Sequence, residues 1–120
     1  MREREILILR IAWLCRSEYE WGQHHRVGLR AGLTEEEITR IIEGPDAEGW
    51  DDFDRALVRS VDELFSETII SDATWAALSQ RDGTEQLVDR VYTIGKYNMT
   101  AMALNTFGVQ LEEGVDCFPE

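Results

Sequence analysis

Glu20 and His24 stand four residues apart in the segment Ser17-Glu18-Tyr19-Glu20-Trp21-Gly22-Gln23-His24-His25. On a helix that spacing puts them on one face, one turn apart. A carboxylate beside an imidazole fixes which ring nitrogen carries the proton, raises its basicity and stabilises its charged form. Imidazole titrates near neutral pH, so such a pair suits general acid–base chemistry. The chain has two histidines, both in this segment, so any histidine chemistry starts here. His25 is turned about 100° from His24 around a helix, and reads as exposed or at an interface.

The elements that must carry these groups read as helices. Residues 3–16 form a first helix with Ile6, Leu7, Leu9, Ile11, Trp13 and Leu14 apolar. Apolar groups cover most of its circumference, so it is expected to be buried on several sides, in the core or against a partner subunit. Residues 18–31 form a second helix, or the same helix after a break, and Gly32 offers a left-handed C-cap. Thr34-Glu35-Glu36-Glu37 is a capping box that opens a short helix with Ile38, Ile41 and Ile42 inward. Gly44-Pro45 stops it, and residues 44–50 form a loop. Asp51 or Asp52 starts a helix to about Ser66, with a stripe of Phe53, Leu57, Val61, Leu64 and Phe65. Ser71 caps a short helix containing Trp75 and Leu78. Gly83-Thr84 opens a long helix to about Thr106, with Leu87, Val91, Ile94, Met102 and Leu104 as buried candidates. Residues 107–120 read as a loose or partner-bound tail. No strand pair, internal repeat or linker is legible.

Composition narrows the function classes. The chain has 120 residues, which suits one domain, 1–120. Its formal net charge is -12, which argues against nucleic acid and against an anionic membrane surface. No stretch approaches the roughly 20 apolar residues of a membrane-spanning helix. The front of the chain lacks the basic region of a signal peptide, so the cytoplasm is the expected location. Cys15 and Cys117 lie far apart with no CxxC, which gives neither a zinc framework nor a dithiol redox motif, and two reduced thiols are expected.

Several segments together resemble the carboxymuconolactone decarboxylase family, within the alkylhydroperoxidase D-like superfamily. They are Arg2-Glu3-Arg4-Glu5 ahead of an apolar helix, Glu18-Tyr19-Glu20-Trp21 followed by His24, then Ala31-Gly32-Leu33 before the capping box. Gly95-Lys96-Tyr97 with Leu104-Asn105 is similar to one branch. The order and spacing of these segments make the case, and they span most of the chain. The resemblance implies an all-α bundle of about five to six helices, assembled as a homo-oligomer (dimer, trimer or hexamer). Relatives of this branch commonly carry a further segment before the Arg-Glu-Arg-Glu stretch. The peroxidase branch carries a CxxC followed after three residues by a histidine. Here the cysteine positions fall on Ser17 and Glu20, and the histidine on His24. An upstream glutamate that relays protons falls on Glu5. The resemblance therefore implies proton chemistry rather than thiol chemistry, on a small acid or lactone, as in aromatic degradation.

The expected catalytic residues are accordingly His24, Glu20 and Glu5. His24 acts as acid or base, Glu20 orients it, and Glu5 joins them only through tertiary folding, being fifteen residues before Glu20. Trp21, Tyr19, Tyr97 and Asn105 are candidate substrate contacts. Glu5, Glu20 and His24 could also supply three metal ligands, but a Glu and His four apart are weak evidence, and no metal or other cofactor is expected. Three functions compete: an acid–base lyase acting by decarboxylation or isomerisation, a non-catalytic oligomeric or binding protein, and a peroxidase, which the missing CxxC disfavours.

Overall fold

The computed structural model describes residues 1–111. Cys117 and most of the expected tail lie outside the described residues. Six helices follow in order: α1 (Arg2–Leu14), α2 (Glu18–Arg30), α3 (Glu35–Glu43), α4 (Asp52–Glu67), α5 (Asp72–Leu78) and α6 (Thr84–Phe107). No strand occurs among the described residues.

Each boundary has a local cause. Arg16, at φ +56°, breaks the chain between α1 and α2, so the two are separate helices. Ser17 then caps α2, its hydroxyl accepting from the Glu20 amide. At the far end of α2, the Leu33 amide donates to the Gly28 carbonyl and the Gly32 amide to the Leu29 carbonyl. This is a Schellman closure, and it needs the positive φ of +109° that Gly32 adopts without strain. The capping box at Thr34 and Glu37 forms as expected. Asp51 and Ser71 cap α4 and α5 through their side chains. The Gln86 side chain accepts from the Gly83 amide at the start of α6.

α1 is the central helix and packs against α2, α3, α4 and α6. Ile6, Leu7, Ile8, Leu9 and Ala12 are completely buried. The apolar circumference of α1 is thus covered within its own subunit. Arg10 interrupts that surface at little cost because its guanidinium is fully engaged. It pairs with both oxygens of Asp62 at 2.7 and 2.9 Å, and donates to the carbonyls of Ile41 and Ile42 at the end of α3. Arg2 joins the start of α1 to Asp54 of α4 and Glu37 of α3.

Two expected core residues face outward: Met102 is 61% exposed, and Phe65 is also exposed. On α6, Val88, Tyr92, Met99 and Met102 form an exposed apolar ridge, with Gly95 between them. The helical period was legible there, but the face turned towards α1 is that of Leu87, Ile94 and Ala101.

Candidate active site

The carboxylate that meets His24 is Glu5. Glu5 Oε1 lies 2.6 Å from His24 Nδ1, across 19 residues of sequence. The expected Glu20–His24 pair does not form: no hydrogen bond or ion pair joins them among the described residues. The difference comes from the crossing of α1 over α2. Gly28 sits one turn after His24 on the same face. A Cβ there would meet Leu33 Cδ1 at 3.0 Å, Leu9 Cδ1 at 3.3 Å and the Glu5 Cβ at 3.7 Å. The missing side chain lets the two helices approach, and Glu5 reaches the imidazole from the neighbouring helix. Gly28 was legible only as a glycine within a helix, a position that usually lowers helix stability.

Glu5 is completely buried, whereas the His24 side chain keeps 18% of its exposure. With Nδ1 held by the carboxylate, Nε2 is the nitrogen left to exchange a proton. The Tyr97 ring meets the imidazole edge-on, with centroids 5.3 Å apart. Arg4 donates to the Tyr97 hydroxyl at 3.2 Å. Tyr97 was an expected contact, whereas Arg4 carried no signal beyond its place in the Arg-Glu-Arg-Glu stretch.

Glu20 occupies a different environment. It is 3% exposed, and neither carboxylate oxygen has a hydrogen-bond partner among the described residues. Burial pushes its pKa up to about 7, because desolvation penalises the charged form. The neutral acid is therefore well populated near physiological pH. Cys15 feels the same surroundings: burial, and then the charge of Glu20, push its thiol up to about 11. That thiol donates to Asn98 Oδ1 at 3.1 Å.

The remaining expected contacts separate. Trp21 is 1% exposed and packs in the core against Trp13, with the rings tilted and their centroids 5.7 Å apart, so it is a packing residue rather than a pocket wall. Asn105 donates to the Cys15 carbonyl at 2.9 Å. Together with Tyr19 and Arg16 it lines a cleft of about 520 Å³ between the α1–α2 turn and the end of α6. Glu5 and His24 do not line that cleft. His25 pairs with Glu35, Nε2 to Oε1 at 3.0 Å. Among the described residues, no group of three His, Cys, Asp or Glu converges to hold a metal ion. No helix among them is long and apolar enough to cross a membrane.

Residues 1–60 match the model of the carboxymuconolactone decarboxylase family. No curated protein matches the chain. A solved structure from Agrobacterium tumefaciens superposes with a TM-score of 0.84 at 21% identity, covering 92% of this chain and 77% of that one. It is a protein of unknown function, described as a candidate antioxidant defence protein AhpD. At that identity the likeness establishes the alkylhydroperoxidase D-like helical fold.

Proposed function

Because the chain belongs to the carboxymuconolactone decarboxylase family, we propose that it is an acid–base lyase acting on a small lactone or oxo-acid. The observation that carries the proposal is the 2.6 Å contact between buried Glu5 and His24 Nδ1. Glu5 orients the imidazole and offsets its charge when protonated, which directs proton transfer through Nε2. In a decarboxylation, the electron pair of the breaking C–C bond flows into a neighbouring carbonyl or alkene as carbon dioxide leaves. The resulting enolate or dienolate carbon takes a proton from Nε2, and the imidazole recovers one from water. In an isomerisation the same nitrogen removes a proton from one carbon and returns it to another.

The test is turnover of γ-carboxymuconolactone and related lactones by wild type, His24→Ala, Glu5→Gln and Glu20→Gln. The proposal expects activity in wild type and a loss of about 10²–10⁴-fold in His24→Ala. An inert wild type, or a His24→Ala variant equal to it, ends the proposal.

A non-catalytic binding role is the second reading. It is favoured by the cleft at Tyr19 and Asn105, which His24 does not line. Ligand binding without turnover, lost on Asn105→Leu, would support it. A thiol peroxidase at Cys15 is disfavoured, because a thiol pushed up to about 11 is overwhelmingly protonated at neutral pH. The proposal includes a cytoplasmic setting and a homo-oligomer in which a second copy covers the apolar ridge on α6.

A further inference from the structure

Positive charge gathers beside the Glu5–His24 pair. Arg4 Nη1 lies 3.8 Å from Glu5 Oε2, beyond hydrogen-bonding distance. Nη2 donates to the Tyr97 hydroxyl, and the guanidinium lies over the Tyr97 ring, 5.5 Å from its centroid. Lys96 Nζ lies 5.6 Å from the centroid of that same ring. Tyr97 is also the ring that meets His24 edge-on. One tyrosine therefore holds two cations and the imidazole in a single cluster.

Arg4 differs from Arg2, Arg10 and Arg55. Arg2 is bound by Asp54 and Glu37, and Arg10 by Asp62 and two carbonyls. Arg55 is taken up by the carbonyls of Pro45, Ala47 and Trp50. Arg4 makes one hydrogen bond, to the Tyr97 hydroxyl, and one long ion pair, to Glu5 at 3.8 Å, and its side chain is 37% exposed. A guanidinium has five N–H donors in a planar fork that matches a carboxylate. Most of that fork is open here. In a chain of net charge -12, an anionic substrate is repelled unless local cations reverse the field at the site.

We infer that Arg4, held by Tyr97 and assisted by Lys96, binds a substrate carboxylate beside His24, so that the site selects small acids over neutral lactones or esters. This rests on the acid–base reading of the same site and names its substrate class. A carboxylate paired with Arg4 next to Tyr97 places the rest of a small molecule against the imidazole. The Tyr97 hydroxyl fixes the guanidinium before the ligand arrives, which reduces the ordering cost on binding.

The experiment measures binding rather than turnover. Succinate and its dimethyl ester are titrated into the protein, and both the heat of binding and the His24 ring resonances are followed. Wild type is expected to bind succinate saturably with a shift of the His24 signals, and to ignore the ester. Arg4→Gln weakens succinate binding by about tenfold or more, Arg4→Lys restores part of it, and Tyr97→Phe gives an intermediate loss. In any reaction found, Arg4→Gln raises KM more than it lowers kcat. No succinate binding by wild type at millimolar concentration, equal binding of the ester, or unchanged affinity in a folded Arg4→Gln overturns the inference. Arg4-dependent binding by a protein with no turnover sinks the lyase reading alone. Turnover with an unchanged KM in Arg4→Gln sinks the anchor alone.

Discussion

Glu5 Oε1 and His24 Nδ1 lie 2.6 Å apart, joining the first turn of α1 to the middle of α2. Glu5 has no exposure, so its charge depends on this contact and on Arg4 at 3.8 Å. His24→Ala is therefore expected to destabilise the fold by about 3 kcal/mol, since it strands a buried carboxylate. The additional change Glu5→Gln should restore part of that loss. Urea unfolding of the two single variants and the double variant measures the coupling.

Glu20 gives a pH dependence whose sign follows from its environment. Its pKa rises from 4.5 in the unfolded chain to about 7 in the folded one. Between those values the unfolded chain has lost the proton and the folded protein keeps it. Stability therefore falls as pH rises from 4.5 to about 7, then levels off. Glu20→Gln removes that slope, so the variant should gain on wild type by about 1–3 kcal/mol across this window. Denaturation at pH 5, 6, 7 and 8 reads it directly. Parallel curves at all four values would mean that Glu20 reaches water.

Cys15 is expected to be slow to react. In a Cys117→Ser background, iodoacetamide should modify it far more slowly than a free cysteine at pH 7.5 and accelerate steeply above pH 9, because its thiol is pushed up to about 11. Cys15→Ser together with Cys117→Ser should leave any peroxide consumption unchanged.

Arg10→Met should cost about 2–4 kcal/mol despite its apolar surroundings. It leaves the Ile41 and Ile42 carbonyls and the Asp62 carboxylate without their shared donor. The urea midpoint should shift with little change in slope.

The exposed ridge of Val88, Tyr92, Met99 and Met102 is expected to bury itself against a second copy. Light scattering at micromolar concentration should report an oligomer for wild type and smaller species for Met99→Glu combined with Met102→Glu. A monomeric wild type would remove the homo-oligomer from the account.

Helix boundaries were legible because their causes are local. Thr34 with Glu37, Asp51, Ser71 and Gly32 each leave a cap signature within a few residues. The family was legible from the order of its segments. The partner of His24 was not. The four-residue rule names Glu20 as a neighbour on the same helix face, but says nothing of which helix crosses that face, and α1 brings Glu5 there instead. The burial of α1 had two readings, and four surrounding helices chose the core. Trp21 was a candidate pocket wall because a large aromatic next to Glu20 can line a site, although packing is the commoner role of such a residue. Its packing against Trp13 depends on how the positive φ at Arg16 turns α2 back along α1, a direction that the expected break alone did not give.

The most direct test of the account follows the proton. Decarboxylation of γ-carboxymuconolactone is run in D₂O with wild type, Glu5→Gln and His24→Ala, and product is analysed for rate and for deuterium on carbon. The account predicts one deuterium delivered by wild type, a rate lower by about 10²-fold or more in both variants, and Glu5→Gln folding as wild type does. Equal rates in all three proteins, or no turnover by wild type, would contradict it.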